Sequence, residues 1–266
     1  MSIRKPLVRV AAVSAVVVAL LAVGGANGVG PLARVTPPDQ VTDPREMLAR
    51  SLQTVIDASS VHIAVSVAGH APGALLGRPD ASVTLDGTKI AIDVRPQDAR
   101  SHIAVTSAPL AIDLEAITMW DTLAYRSGGA GPWTRGSLGA VVGESGIDAN
   151  PLTLVDRLRA WLAAPGAPVP TATDVPCAAP SGRCHEVRLE AGSAPGEVVA
   201  SLFPAGGANA VGATTTEVVL QVDAMTLRPV HLGLAIANAD GSLAIQITGD
   251  ASGWDDPSVI PDPAAG

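Results

Sequence analysis

The sequence predicts an α+β fold in which one antiparallel sheet of short strands is flanked by two amphipathic helices. Three observations carry this. Over residues 82–134 apolar and polar residues alternate in short runs separated by turn residues, with hardly a helical period. A 3.6-residue apolar period occurs once before and once after that stretch. Gly (27) and Pro (22) are scattered between periodic segments, as suits a turn-rich β protein rather than a disordered one. The apolar face of such a sheet must be covered by helices, a second sheet or a ligand, and which of these covers it decides the function.

The chain opens on a targeting element, residues 1–33. Arg4, Lys5 and Arg9 precede residues 10–33, which carry no charge. Two outcomes stay open: a signal peptide cut after Ala26, or an uncleaved N-terminal membrane anchor, since ~20 apolar residues span a bilayer. In both, the positive flank stays cytoplasmic and the body lies outside. Cleavage after Ala26 removes three cations, taking the formal charge from −8 to −8 − 3 = −11. Residues 34–42 are a Pro-rich polar linker, residues 43–261 the folded domain and residues 262–266 a tail.

Asp43 caps the first helix, with Pro44 at its first position and Glu46 at the capping-box site; Met47, Leu48, Leu52, Val55 and Ile56 form its apolar stripe. A first strand follows, Val61, Ile63, Val65 and Val67 alternating with His62, Ala64 and Ser66. Val83 and Leu85, the turn pair Asp86-Gly87, and Ile90, Ile92 and Val94 read as a hairpin. Ile103 and Val105, then Leu110, Ile112 and Leu114, then Leu123 and Tyr125 continue the meander. The second helix has Asn150 as cap, Pro151 at its first position and Leu154, Val155, Leu158, Trp161 and Leu162 as its stripe. Beyond it come Val187 and Leu189, a helical turn at residues 197–202, and three further strands around Val218–Val222, Val230–Ile236 and Leu243–Ile247.

Cys177 and Cys184 flank a Pro-Ser-Gly turn, and in an oxidising compartment the pair is read as a disulfide. Only His185 stands beside them, so no metal site is predicted, and no cofactor. The acidic balance, with no Lys/Arg cluster beyond the N-terminus, excludes a nucleic-acid partner. Catalytic signatures are missing too. His62, His70, His102, His185 and His231 are dispersed and read as solvated strand residues, and "GESG" at residues 143–146 lacks the spacing of a nucleophile elbow. Asp113 and Glu115 read as solvated charges on a polar strand face, not as the facing carboxylates a glycosidase needs. The chain is not expected to be an enzyme.

Five fragments, in this order, resemble one known family: "DPREMLARSLQTVIDASSVHIAV", "LAYRSGGAGPWTRG", "NPLTLVDRLRAWL", "DVPCAAPSGRCHEVRL" and "VDAMTLRPVHLGL" with its Asp-x-x-Thr-x-x-Pro turn. They are similar to the LppX/LprG-like carriers of the LolA-like lipoprotein group, over roughly residues 43–261. The resemblance implies a half-barrel, a curved antiparallel sheet with helices across its concave face and an apolar cavity for acyl chains between them. The family's lipobox cysteine is absent from "LLAVGGANGVG", so lipid anchoring is not expected here. Cavity residues are then Val83, Leu85, Ile90, Ile92, Ile103, Val105, Leu110, Ile112 and Leu114 from the sheet and Leu154, Leu158 and Trp161 from the second helix. Aliphatic walls with few polar fixtures suit acyl chains of a lipid or lipoglycan, at about 0.8 kcal/mol per buried methylene. Two functions stay open: an exported lipid carrier or sensor, and a closed cell-envelope module that acts through a protein partner. Membrane contact is expected through the N-terminal segment if it is uncleaved.

Overall fold

The computed structural model describes residues 38–73, 82–98, 100–120, 122–129, 131–137, 169–191 and 214–256. The predicted leader, the second helix with Leu154, Leu158 and Trp161, and the turn at residues 197–202 lie outside the described residues.

The described chain begins with a single 3-10 turn, Pro38–Gln40, and one α-helix, α1 (Pro44–Asp57). Asp43 caps α1 as predicted, its carboxylate accepting the Arg45 amide at 3.0 Å, with Pro44 at the first helical position. Glu46 pairs with Arg50 one turn on at 2.6 Å. The strands are β1 (Val61–Pro72), β2 (Ser82–Thr84), β3 (Thr88–Arg95), β4 (Arg100–Ser107), β5 (Ile112–Met119), β6 (Thr122–Ser127), β7 (Thr134–Ser137), β8 (Thr171–Pro176), β9 (Arg183–Ala191), β10 (Thr214–Asp223), β11 (Pro229–Asn238) and β12 (Ala244–Ser252). They form one antiparallel sheet in the order β7-β6-β5-β4-β3-β1-β12-β11-β10-β9-β8, with β2 on β1. The chain therefore lays down two meanders, one on each side of β1, and β12 returns to close the middle of the sheet.

Register puts the apolar residues of neighbouring strands in rows. Val65 pairs with Ile90, Ile90 with Val105 and Val105 with Leu114 on one side of β1. On the other side Val67 pairs with Ile247, Ile247 with Leu234, Leu234 with Val218 and Val218 with Leu189. One face is thus aliphatic across eight strands, as the period-2 patterns require. The largest buried cluster centres on Val61, Ile63, Val65, Ile90 and Ile92 and includes Val55 of α1. A second cluster joins Val41 and Met47 to Val187, Leu220, Val222, Leu227 and Leu232. Because α1 contributes to both clusters and touches β9, β11 and the turn Pro96–Asp98, it lies across strands on the apolar face.

Two expectations are corrected. Residues 82–95 are not a hairpin: β2 and β3 both pair antiparallel with β1, so they run in one direction along the same edge. Asp86-Gly87 is a bulge within that run. Its Asp86 carboxylate accepts the Gly69 amide at 2.7 Å, the Leu85 amide donates to the Gly69 carbonyl at 2.8 Å, and Gly69 itself has φ 105°. Leu110 is not a strand residue either; it sits in the turn before β5, where Ala111 adopts φ 52°.

All the following features lie at one end of the sheet, hereafter the stitched end: the start of β1, the Pro96–Asp98 turn, the β5–β6 turn at Trp120, the disulfide loop, the β10–β11 turn and the segment after β12. Registers Val61 with Val94, Arg95 with Arg100, Arg100 with Met119, His62 with Ser252 and Asp223 with Cys184 place them there.

Candidate functional site

The two faces of the sheet offer two candidate surfaces. On the apolar face the structure gathers the predicted sheet residues, but to different depths. Ile92 is fully buried, and Ile90, Val105, Val83 and Leu85 are buried. Ile103, Leu110 and Ile112 are half-buried and pack against the cluster, as does Tyr125, in line with Ile103 through Ala116, while Leu114 is buried. Half-buried aliphatic residues thus lie on β4, on β5 and in the turn between them, and again at Val218 of β10, while the strands at the middle of the sheet hold a packed core. Leu154, Leu158 and Trp161 lie outside the described residues.

Among the described residues, His185 Nε2 and Thr216 Oγ1 are buried with no hydrogen-bond partner. By register both belong to the apolar face, since His185 pairs with Val222 and Thr216 with Ile236. The other ring nitrogen of His185 is held by Asp174, Nδ1 to Oδ1 2.7 Å. A buried polar atom without a partner costs free energy.

The opposite face carries a ladder of ionisable residues. His62 Nδ1 meets Asp93 at 2.7 Å, the other Asp93 oxygen lies 3.4 Å from His102 Nδ1, and His102 Nε2 is 2.8 Å from Glu115. Glu115 also receives Arg126 Nε at 2.6 Å, and the Arg126 guanidinium stacks 4.5 Å above the Trp133 ring. Burial works against the Glu115 charge, but the hydrogen bonds and charges of Arg126 and His102 outweigh it and hold its carboxyl below the usual range. Across β1 the pattern resumes with His231 on Asp250 at 2.7 Å and Gln221 donating to Glu186 at 2.9 Å. The Gln221 bond, then Arg188, lower the Glu186 carboxyl. Glu186 and Glu217 share Arg188.

These contacts revise the sequence reading of the same residues. Of the five strand histidines, His62, His102, His185 and His231 each face a carboxylate and His70 meets the Gly241 carbonyl at 2.8 Å; His102 and His185 are in addition largely shielded from water. Glu115, read as a solvated charge, has a side chain only 15% exposed and clamped from two sides. Alternation gave the face of each residue, but not which strand stands next to it, and the pairing follows from strand order. Among the described residues no group of three or more His, Cys, Asp or Glu is placed to hold a metal ion. The ladder cross-links β1, β3, β4, β5 and β6 on the outside of the sheet.

The predicted disulfide is present, Cys177 to Cys184 with Cα atoms 5.8 Å apart. Beside it Asp223 of the Asp-x-x-Thr-x-x-Pro turn accepts the amides of Met225 (2.9 Å), Thr226 (2.9 Å) and Ser181 (3.3 Å) and the Thr226 hydroxyl (3.1 Å). Burial opposes its charge, yet these donors together hold its carboxyl below the usual range. One buried carboxylate thereby fixes the β10–β11 turn to the disulfide loop.

In structure the chain is similar to the Mycobacterium tuberculosis lipoprotein LppX, at 15% identity over 82% of this chain and 98% of that one, TM-score 0.49. It is also similar to an uncharacterised conserved protein of Thermus thermophilus, 8% identical over 78% and 86% of the two chains, TM-score 0.36. A LolA superfamily protein of Nitrosomonas europaea matches at 10% identity over 83% and 96%, TM-score 0.28. No protein-family model matches the chain, and no curated protein matches its sequence.

Proposed function

We propose that this protein is an exported lipid- or lipoglycan-binding carrier or sensor. The observation that carries the reading is the aliphatic face, continuous across eight strands and graded in exposure: packed solid at Ile90 and Ile92, half-buried at Ile103, Leu110 and Ile112. Acyl chains have no directional bonding, so they bind wherever aliphatic area is removed from water, about 25 cal/mol for each Å². The half-buried rim over β4 to β6 provides that area. The disulfide is consistent with an extracytoplasmic setting. A secreted form and a form retained through residues 1–33 both fit the reading; among the described residues no helix is long and apolar enough to cross a membrane.

The second reading, a closed envelope module that acts through a protein partner, is favoured by one observation, the complete burial of Ile92 and near-complete burial of Ile90 at the centre of the face. Mass spectrometry of organic extracts from purified protein, with titration of a fluorescent fatty acid, separates the two. Co-purifying lipid and saturable uptake are expected. An empty extract together with no uptake would leave the closed module.

A further inference from the structure

Among the described residues four large apolar side chains stand in solvent, and three of them share the stitched end of the sheet. Met119 and Trp120, 45% and 71% exposed, form the β5–β6 tip, and Met225, 60% exposed, is on the β10–β11 tip. The fourth, Val169 at 74%, precedes the opposite end of β8, whose far terminus Pro176 pairs with Arg183 at the stitched end. β5 and β11 are five strand spacings apart, about 24 Å along the sheet.

These tips are built rigidly. The Thr122 hydroxyl donates to the Met119 carbonyl at 2.7 Å, and Trp120 is held at φ 56°. Asp223 grips the Met225 and Thr226 amides, and Arg228 pairs with Asp255, whose carboxylate also accepts the Ser59 amide at 2.9 Å. Large apolar groups on pinned turns lose little conformational freedom when they are buried. At this end Arg95 faces Asp98, Arg183 faces Asp174 and Arg228 faces Asp255.

A second, independent feature meets the same end. Val41 packs in one cluster with Leu227 of the β10–β11 turn, so the described chain enters here. The uncharged residues 10–33 are joined to Pro38 by residues 34–37, at most about 14 Å of extended chain.

We propose that the stitched end seats on a lipid bilayer, Met119 and Trp120 on one tip and Met225 on the other entering the interfacial layer. Trp is the side chain best suited to that depth, with an apolar ring and one polar N–H. Because Arg95, Arg183 and Arg228 each face an aspartate, attachment comes from apolar insertion and not from attraction to anionic headgroups. The inference goes beyond the carrier reading and stands whether or not the apolar face takes a ligand.

The test uses the full chain with one introduced cysteine, Trp120→Cys, Met225→Cys or Val169→Cys, carrying a polarity-sensitive dye. The natural cysteines are bonded to each other, so only the introduced thiol reacts. On adding phosphatidylcholine vesicles, dyes at positions 120 and 225 are expected to shift to the blue while the dye at 169 stays unchanged. Adding phosphatidylserine to the vesicles should enlarge neither shift. Should Trp120→Cys fail to fold, Met119→Cys reads the same tip. An unchanged dye at either tip, or an equal shift at 169, overturns the proposal. Lipid extraction reads the apolar face separately, so either idea can fail alone.

Discussion

Asp223 shows how one side chain settles a local structure. Its carboxylate has four donors within the β10–β11 turn and the disulfide loop. Asp223→Asn replaces one acceptor oxygen by a donor facing N–H groups, and is expected to cost about 1–3 kcal/mol in urea unfolding. The pH dependence has a definite sign. The folded carboxyl titrates below its unfolded value of about 3.9, so its stabilisation is fully present above that value and is lost as pH falls through the lower, folded one. Thermal melts of Asp223→Asn should therefore lose less on acidification than those of the parent; equal losses would contradict the assignment. Gly69 is the other decisive residue. It has φ 105°, and a Cβ there would lie 2.0 Å from the Ala244 carbonyl oxygen. Gly69→Ala should destabilise by about 3 kcal/mol or more, with the same substitution at Gly241, where a Cβ meets nothing, costing much less. The sequence held a signal for the first residue, in its Asp-x-x-Thr-x-x-Pro spacing, and little for the second, because a lone Gly in a strand pattern does not say what approaches it.

At the level of elements, legibility followed the strength of periodicity. The helix from Pro44 and the strands around Ile63, Ile92, Leu220, Leu234 and Ile247 have one deeply buried face each, and alternation located them. β8 was missed because it is mostly exposed, so it has no apolar period to read. β7 is exposed at every residue and was visible only within the "LAYRSGGAGPWTRG" fragment. The Asp86-Gly87 error has another cause: turn chemistry is the same in a hairpin and in a bulge, and only the partner strand distinguishes them. The disulfide links β8 to β9 across a short loop. Its reduction is expected to cost about 2–3 kcal/mol, since a short loop restricts the unfolded chain only modestly. Denaturant melts with and without reductant measure this, and unfolding outright on reduction would show that the loop does more than restrict the unfolded chain.

For the whole molecule, the question is whether the aliphatic face is a site or only a core, and two residues of the face separate these roles. Ile92 is fully buried at the centre, whereas Ile112 is half-buried at the start of β5, at the edge of the cluster. Ile92→Ala leaves a cavity among packed neighbours and is expected to cost about 2–5 kcal/mol, with fatty-acid uptake per folded molecule preserved. Ile112→Gln loses less apolar contact and keeps its new amide within reach of water, so its cost should stay below about 1 kcal/mol. If a chain lies against the rim, however, the amide must be desolvated whenever the chain binds, and uptake should fall by tenfold or more, about 1.4 kcal/mol. Stability and uptake thus move separately in the two variants. Were Ile112→Gln to bind as the parent does, the rim over β4 to β6 would not be the contact surface; were both variants to lose uptake in proportion to stability, the face would be a core alone.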